Sequence, residues 1–255
     1  TMPADEFPTT TAEVPLAACD PRPLVNAVRD LATYASTDET RRTLSGVLAD
    51  ADGGRLAATD GRRLTCLALD PFPFDRSVVL PATKVLRQRV LTGPEGGIGL
   101  AEAGAQTVLG IGSGPWLYTA TCVEGTYPDY HQVIPGEAAA TAHLRFSPEE
   151  LPTMVTVLRQ LVRGEARAVA VYACGNRVAL RAASDDPESP YTCVDLPNAT
   201  SDTAEPLVVH FAPQFLLDVL ALGFTEAAVV DTYSPVRFGG VPGGLHVVMP
   251  LRDTD

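Results

Sequence analysis

The chain is poor in the cysteine, histidine and basic residues on which many common classes of site depend. Its five cysteines are widely spread, form no Cys-x-x-Cys pair and have no histidine at metal-ligand spacing. They predict reduced, mostly buried thiols and no metal site. The formal net charge of -12 excludes a protein that coats nucleic acid with its whole surface, although it permits a local basic face.

Long apolar runs and targeting signals are also missing. No segment approaches the roughly 20 apolar residues of a spanning helix, and the N-terminal residues have no signal-peptide character. We therefore expect a cytoplasmic protein without a membrane partner. A hydrophobic content of 45% in 255 residues still predicts a substantial buried core.

Signatures of catalysis are equally scarce. The run Gly110-Ile111-Gly112-Ser113-Gly114 lacks the spacing of a dinucleotide-binding loop and predicts a glycine-rich hairpin instead. The four histidines are scattered, and none lies in a nucleophile-base motif. We expect no catalytic residue, no metal and no cofactor, which favours a binding or structural role.

The sequence does contain a repeated pattern of one helix followed by several short strands. Helices are predicted over residues 20–36, 81–92, 147–164 and 212–222, and each has a proline near its start. Ser147 and Glu150 predict a capping box at the third helix. Coincidence in proline placement is the alternative, but a fourfold repeat predicts an α+β fold of two similar domains joined near residues 135–140.

Three segments resemble landmarks of the bacterial sliding clamp, the β subunit of DNA polymerase III. They are residues 41–64 (RRTLSGVLADADGGRLAATDGRRL), 124–135 (EGTYPDYHQVIP), and 211–220 with 247–252 (FAPQFLLDVL, VVMPLR). The resemblance runs from about residue 13 to 252 and covers only the middle and last domains of the family. It implies an N-terminal tail (1–12), a middle clamp domain (13–137) and a last clamp domain (138–255), with the first domain lacking.

In this family each domain is a pair of β-sheet-and-helix repeats, and six domains form a pseudo-six-fold ring around duplex DNA. The resemblance therefore implies a non-enzymatic processivity factor in DNA replication that is nucleoid-associated. Its partners are expected to be duplex DNA, the replicative polymerase, other clamp-motif proteins and a clamp loader. A chain with two domains would complete six as a homotrimer, joined head to tail through edge strands.

The family binds short motifs rich in Gln, Leu and Phe in a hydrophobic pocket between the middle and last domains. Aliphatic walls with an adaptable methionine suit such apolar peptides. Gln132 and Ala212 depart from the residues common in the family, so the preferred motif is expected to differ. The matching positions are Leu44, Thr59, Gly61, Arg62, Arg63, Leu64, Pro128, Gln132, Val133, Ala212, Phe215, Val247, Val248, Met249, Pro250, Leu251 and Arg252.

The predicted helices have a small excess of positive charge over an otherwise acidic chain, as an encircling protein needs. In the second helix, Val85, Leu86 and Val90 are expected to turn toward the core, and the role of Arg89 stays open. Arg41 and Arg42 occupy a loop that approaches DNA in the family. The predicted DNA-binding residues are Arg22, Arg29, Arg41, Arg42, Lys84, Arg87, Arg159 and Arg163.

Alternatives remain at this point. A solvated charged face explains each cation equally well, and packed core explains Leu44, Leu64 and Val248. A second reading of the whole chain is a clamp paralogue that binds or sequesters clamp partners without encircling DNA. An enzyme on a clamp-like scaffold is a third, although no catalytic constellation supports it.

Overall fold

The computed structural model describes residues 13–38, 40–87, 91, 93–163, 168–183 and 191–252. The described chain divides into two compact units. The first contains the residues up to Asp60 and Cys66–Pro128, and the second contains Gly61–Thr65 and Asp129–Asp255. The predicted tail over residues 1–12 lies outside the described residues. The family domain limits at residues 137 and 138 stay a prediction.

Both units are built from short strands and two helices each. The helices are α1 (Arg22–Leu31), α2 (Lys84–Arg87), α3 (Leu151–Arg163) and α4 (Pro213–Ala221). The strands are β1 (Ala17–Ala18), β2 (Gly46–Asp50), β3 (Arg55–Thr59), β4 (Arg63–Ala68), β5 (Val78–Pro81), β6 (Gly96–Ala103), β7 (Gln106–Ser113), β8 (Trp116–Thr121), β9 (Ala142–Arg145), β10 (Val169–Cys174), β11 (Arg177–Ala183), β12 (Tyr191–Asp195), β13 (Thr200–Ser201), β14 (Leu207–Phe211), β15 (Glu226–Val229), β16 (Val236–Gly239) and β17 (Gly244–Val248).

The predicted fourfold repeat is confirmed. Each helix is followed by three strands, with the two-residue β13 as an addition after α3. Each helix is also preceded by a strand that pairs with the sheet of the other repeat in its unit. Thus β1 pairs with β6, β5 with β2, β9 with β15, and β14 with β10. This exchange of first strands ties the two repeats of a unit together and gives the α+β class expected from the sequence.

In the first unit, the glycine-rich run forms a hairpin, as predicted. Gly114 lies in the turn between β7 and β8 with φ +57°, a conformation that glycine adopts without steric cost. Gly110 and Gly112 make room on one face of β7 for the N-terminal segment. A Cβ at Gly110 would lie 2.8 Å from Val14 Cγ1, and one at Gly112 would lie 2.9 Å from Leu16 Cδ1. The glycines therefore serve packing, and they hold no phosphate loop.

The second unit has one apolar core shared by its two sheets and its two helices. Alternation along β9 buries Ala142 and Leu144 and exposes the residues between them. On α3, Met154 and Leu158 are four residues apart and are both fully buried, because this spacing places them on one helix face. Burial of such large side chains contributes roughly 1.5–3 kcal/mol each.

The helix boundaries differ from the predictions at three helices. Helix α3 begins at Leu151, four residues after its predicted start. The predicted continuation of α2 over residues 88–90, including Val90, lies outside the described residues. Helix α1 ends at Leu31 and does not reach residue 36, because the Ser36 N–H donates to the Leu44 carbonyl outside the helix. Pro81 closes β5 and does not open α2. Within α2, Leu86 is buried as expected, but Val85 is 44% exposed, so its predicted core position is wrong.

The predicted capping box at α3 is wrong. Ser147 Oγ accepts a hydrogen bond from the Glu149 N–H at 3.3 Å and not from the Glu150 N–H that a capping box uses. The Glu150 carboxylate accepts from the Asn198 N–H at 2.8 Å and does not return to Ser147. Glu150 is buried, so a loop amide from the core side competes successfully for its carboxylate.

The cysteines are all free, but only Cys66 and Cys122 are fully buried. Burial raises the pKa of the Cys66 thiol to about 12 and that of Cys122 to about 11. Cys193 is exposed on β12, in contrast to the expectation of mostly buried thiols. Among the described residues, no helix combines the length and apolar character needed to cross a bilayer.

Candidate peptide-binding surface

The second unit contains a surface built around the segment Gly61–Thr65, at the start of β4. Gly61 has φ +89°, so the chain turns sharply there before the strand begins. The Met249 N–H donates to the Arg62 carbonyl at 2.9 Å. This bond fixes the predicted pocket residues after β17 against those of the ATDGRRL motif.

Arg63 is the central polar residue of this surface. Its guanidinium donates to the Asp218 carboxylate on α4, and the two side chains are only 10% and 13% exposed. The guanidinium carbon also lies 4.7 Å from the centroid of the Phe215 ring. Gln214 Nε2 donates to the other Asp218 oxygen at 2.7 Å. Arg63 thus joins the motif segment to α4 through charge, hydrogen bond and ring contact.

The pairing orients α4 and leaves part of its face apolar. Ala212 precedes the helix in extended backbone and Pro213 occupies its first turn, where a missing N–H costs nothing. Phe215 is partly buried and packs against the core of the unit. Because Arg63 neutralises Asp218, the face of α4 at Phe215 carries no unpaired charge that would repel an apolar ligand.

Beneath the surface lies a buried histidine. Thr65 Oγ1 and His246 Nδ1 are 2.7 Å apart, and His246 is completely buried. Burial, and secondarily the positive charge of Arg63, lower the pKa of His246 to about 3. The ring is therefore neutral at physiological pH and joins β17 to the motif segment by a hydrogen bond within the core.

The predicted pocket residues of this unit fall into a buried set and an exposed set. Leu64, Val247 and Val248 are at most 3% exposed and belong to the core. Val133 and Met249 are 50% and 42% exposed, which is unusual for apolar side chains of their size. The remaining positions, polar and apolar, are partly buried or exposed. The Leu251 N–H donates to the His210 carbonyl at 2.7 Å.

Gln132 belongs to a short 3-10 helix, Tyr130–Val133, in the landmark EGTYPDYHQVIP. Asp129 caps it by accepting from the His131 N–H at 3.1 Å. Gln132 Nε2 donates to the same Asp129 carboxylate at 3.1 Å. Asp129 therefore fixes the side chain of Gln132, which is one of the two pocket positions where the sequence departs from the family.

Three predicted pocket residues belong to the first unit. Leu44 is 8% exposed and packs with Val79 and Tyr127 in a small apolar cluster. Thr59 ends β3 and is partly buried, whereas Pro128 is exposed. Leu44 thus has the packing role that the sequence left open, and the pocket as a whole stays a prediction.

The predicted DNA-binding cations occupy different environments. Arg22 pairs with Asp20 at 2.7 Å, Arg29 with Asp30 at 3.3 Å and Arg41 with Asp38 at 3.8 Å. Arg22 and Arg41 are exposed and Arg29 is partly buried. Exposed pairs contribute little to stability and leave their cations accessible.

Six further cations, including Arg89, lie in the predicted helices or in the loop before β2, and the structure describes the side chains of three of them. Arg42, Lys84 and Arg159 are exposed and have no ion pair within the described part of the chain. The side chains of Arg87 and Arg163, and all of Arg89, lie outside it. The DNA contacts therefore stay a prediction.

One residue of this surface, Asp218, has no role in the sequence-based predictions. It lies in the predicted last helix and is the largely buried partner of Arg63. Its spacing from Gln214, four residues along α4, was the available signal. No three His, Cys, Asp or Glu side chains in the described ranges are grouped closely enough to hold a metal ion.

Comparison with known proteins identifies relatives along the whole chain. The chain is 28% identical to the β sliding clamp homolog GriR of Streptomyces muensis over 98% of its own length and 70% of that protein. It is 31% identical to the β sliding clamp of Pseudomonas aeruginosa over 147 residues, which are 53% of this chain and 38% of that one. No family model matches the chain.

Solved clamp structures have the same fold. The DNA polymerase III β subunit of Thermotoga maritima superimposes with a TM-score of 0.80 and 25% identity, over 99% of this chain and 70% of that one. A sliding clamp of Pseudomonas aeruginosa also superimposes with a TM-score of 0.80 and 23% identity, over 99% of this chain and 70% of that one. The clamp fold predicted from the landmark segments is confirmed.

Proposed function

We propose that this chain, which is related to the bacterial β sliding clamps over its whole length, encircles duplex DNA and tethers DNA enzymes to it. The observation that carries the proposal is the whole-length similarity, which spans both units and all the landmark segments. In this proposal the chain performs no catalysis of its own. It acts as a processivity factor, with the replicative polymerase and other clamp-motif proteins as partners and a clamp loader to place it on DNA.

The distribution of charge supports a loose hold on DNA. The chain is strongly acidic overall, with a formal net charge of -12, while Lys84 and Arg159 expose their charges on helices. Arg42 exposes another on the loop before β2. A few accessible cations attract phosphates, and an acidic remainder discourages DNA from binding elsewhere. Such weak, sequence-independent contact permits sliding.

Three copies of the chain would supply the six domains of a clamp ring. The chain spans 70% of the length of its relatives, and each unit contains two of the four repeats. Head-to-tail contact between copies closes into a ring when the rotation permits. We therefore propose a homotrimer.

The peptide-binding function rests on the surface around Arg63. Met249 and Val133 expose apolar side chains, and Phe215 is held by the Arg63 contact. An exposed, flexible methionine and an aromatic ring are both suited to apolar peptide side chains. We propose that short motifs rich in Gln, Leu and Phe bind there, and that Gln132, held by Asp129, alters the preferred motif.

The peptide proposal is tested with a fluorescein-labelled peptide that carries a Gln-Leu-Phe clamp motif, followed by fluorescence polarisation. Met249→Lys is expected to weaken binding about tenfold or more, because it introduces a charge into an apolar contact. Tyr233→Lys is the matched control, since Tyr233 is 61% exposed in the same unit and outside the proposed pocket. Equal loss in both variants, or binding unaffected by either, would contradict the assignment.

The alternative function is that of a paralogue that binds clamp partners without encircling DNA. The small number of accessible cations favours it to some degree. The two are separated by incubating the chain with nicked circular DNA, a bacterial clamp loader and ATP. A clamp is retained on the circles and released when they are linearised. Peptide binding without such retention would support the sequestering paralogue and refute encirclement.

A further inference from the structure

The second unit contains a polar cleft of about 530 Å³ on the face of β9, β15 and β16 that is turned away from the apolar core. Val229 and Phe238 alternate with the cleft residues along these strands and are buried in that core. The volume is within the range of cavities that hold small molecules. Among the described residues, none of the predicted peptide-pocket or DNA-binding positions lines the cleft, so the functions considered so far leave it unused.

The floor of the cleft is made of small residues. The strand register places Ala228 of β15 between His143 of β9 and Arg237 of β16. Two residues along, Gly239 lies beside Glu226, and a Cβ at that glycine would lie 4.0 Å from the Glu226 carboxylate. Because neighbouring strands are roughly 4.8 Å apart, His143 and Arg237 stand about 10 Å apart with only a methyl group between them. This spacing leaves room for a ligand beside the arginine.

Two carboxylates of the cleft are held firmly by their neighbours. Arg145 donates to Glu226 through Nε at 3.1 Å and pairs with it through Nη2 at 2.9 Å. Asp202 accepts from the His143 backbone N–H at 2.6 Å and lies 2.8 Å from His143 Nδ1. Both carboxylates keep lone pairs for further hydrogen bonds, since a carboxylate offers about four acceptor sites. They are therefore suited to hydroxyl groups of a ligand and do not need a cation from it.

Arg237 has weaker partners than the other charged groups of the cleft. Within the described part of the chain, its guanidinium has one ion pair, with Glu137 at 3.5 Å, which is too long for a good hydrogen bond. The Arg237 side chain is 31% exposed, whereas that of Glu137 is 78% exposed. A guanidinium has five N–H donors in a planar fork that matches carboxylate and phosphate oxygens. Since exposed ion pairs contribute little, an anionic ligand can replace Glu137 at small cost.

We propose that the cleft binds a small organic phosphate, such as a sugar phosphate or a nucleotide. The phosphate group replaces Glu137 on Arg237. The hydroxyl groups of the ligand donate to Glu226 and Asp202. A phosphate suits the site better than a carboxylate, because a group with up to two negative charges and three acceptor oxygens gains from Arg145 as well as from Arg237. The site requires neither the proposed ring nor the peptide-binding surface, so it goes beyond the proposed function.

The test is isothermal titration calorimetry on the full chain at low ionic strength. Ribose 5-phosphate and adenosine 5′-monophosphate are the probes, and inorganic phosphate and ribose are the references. We expect at least one probe to bind with a Kd below about 1 mM, and both references to bind at least about tenfold more weakly. Absence of binding by both probes at about 10 mM would overturn the proposal, as would inorganic phosphate that binds as tightly as the probes.

Arg237→Gln removes the guanidinium fork and is expected to weaken probe binding by about tenfold or more, as the loss of charged hydrogen bonds does. Arg177→Gln is the matched control, because Arg177 is an exposed arginine of the same unit that pairs with Asp195 at 2.9 Å and does not line the cleft. It is expected to bind the probes as the parent chain does. Equal losses in the two variants would show unspecific attraction of phosphate to positive charge and would overturn the site.

Two further variants test the exchange of anions and the floor of the cleft. Glu137→Gln removes the competing carboxylate and is expected to tighten probe binding about threefold. Ala228→Leu fills the floor while keeping every charge, and it is expected to weaken binding by about tenfold or more. Thermal unfolding by circular dichroism checks that each variant is folded, and the two glutamine variants decide the matter if Ala228→Leu is not. Unchanged or weaker binding by Glu137→Gln, or full binding by a folded Ala228→Leu protein, would overturn the assignment.

Discussion

His246 gives the second unit a stability that depends on pH. The ring is completely buried, and burial together with the charge of Arg63 lowers its pKa from 6.5 to about 3. In the unfolded chain the same histidine takes up a proton near pH 6.5, so the unfolded state binds more protons below that value. The stability contributed by the neutral ring is complete above pH 6.5 and is lost as pH falls toward 3.

The size of the effect follows from the two pKa values. Between pH 7 and pH 5 the unfolded histidine becomes almost fully protonated while the folded one stays neutral, which costs about 2 kcal/mol of unfolding free energy. For a chain of this size such a loss lowers the melting temperature by roughly 4–8 °C. The pKa values of Asp and Glu side chains ordinarily lie at about 4, below this window, so the carboxylates contribute little to the change between pH 7 and 5.

The measurement is thermal unfolding by circular dichroism at pH 7, 6 and 5. We expect His246→Gln to be less stable at pH 7, since it loses the bond to Thr65, but to lose little further stability toward pH 5. His143→Gln, at an exposed ring, is expected to keep the full dependence of the parent chain. A His246→Gln protein whose stability falls between pH 7 and 5 as steeply as the parent would refute the reasoning.

Two further substitutions test the packing of the units by urea unfolding. Asp218→Ala leaves the nearly buried Arg63 without its partner and is expected to lower the free energy of unfolding by about 3–5 kcal/mol. Glu226→Gln, in an exposed ion pair, is the control and should lower it by less than about 1 kcal/mol. Equal losses of stability would contradict a buried role for the Arg63–Asp218 pair. In Gly110→Val the new side chain collides with the N-terminal segment, and the substitution is expected to lower the free energy of unfolding by about 1–3 kcal/mol. Gly136→Ala is the control, because a Cβ there meets open space, and it should change that free energy by under about 0.5 kcal/mol. A Gly110→Val protein as stable as the parent would show that the N-terminal segment does not pack against β7.

The net charge of the predicted helices did not show which charged side chains reach solvent. Glu150 and Asp218 both lie in predicted helices, yet both are largely withdrawn from solvent and bonded to groups distant in the chain. Val85 was expected in the core and is exposed. Helical periodicity gives the relative positions of side chains on one helix, but the neighbouring elements decide which face is covered.

The sequence by itself determined the fourfold repeat, the α+β class and the resemblance to the clamp family, because turn residues, helix starts and the landmark segments are local patterns. Only the tertiary structure decided that Arg63 is paired with Asp218 and that His246 is neutral and buried. These properties depend on contacts between residues far apart in the chain and on the exclusion of water around them, which no local pattern encodes.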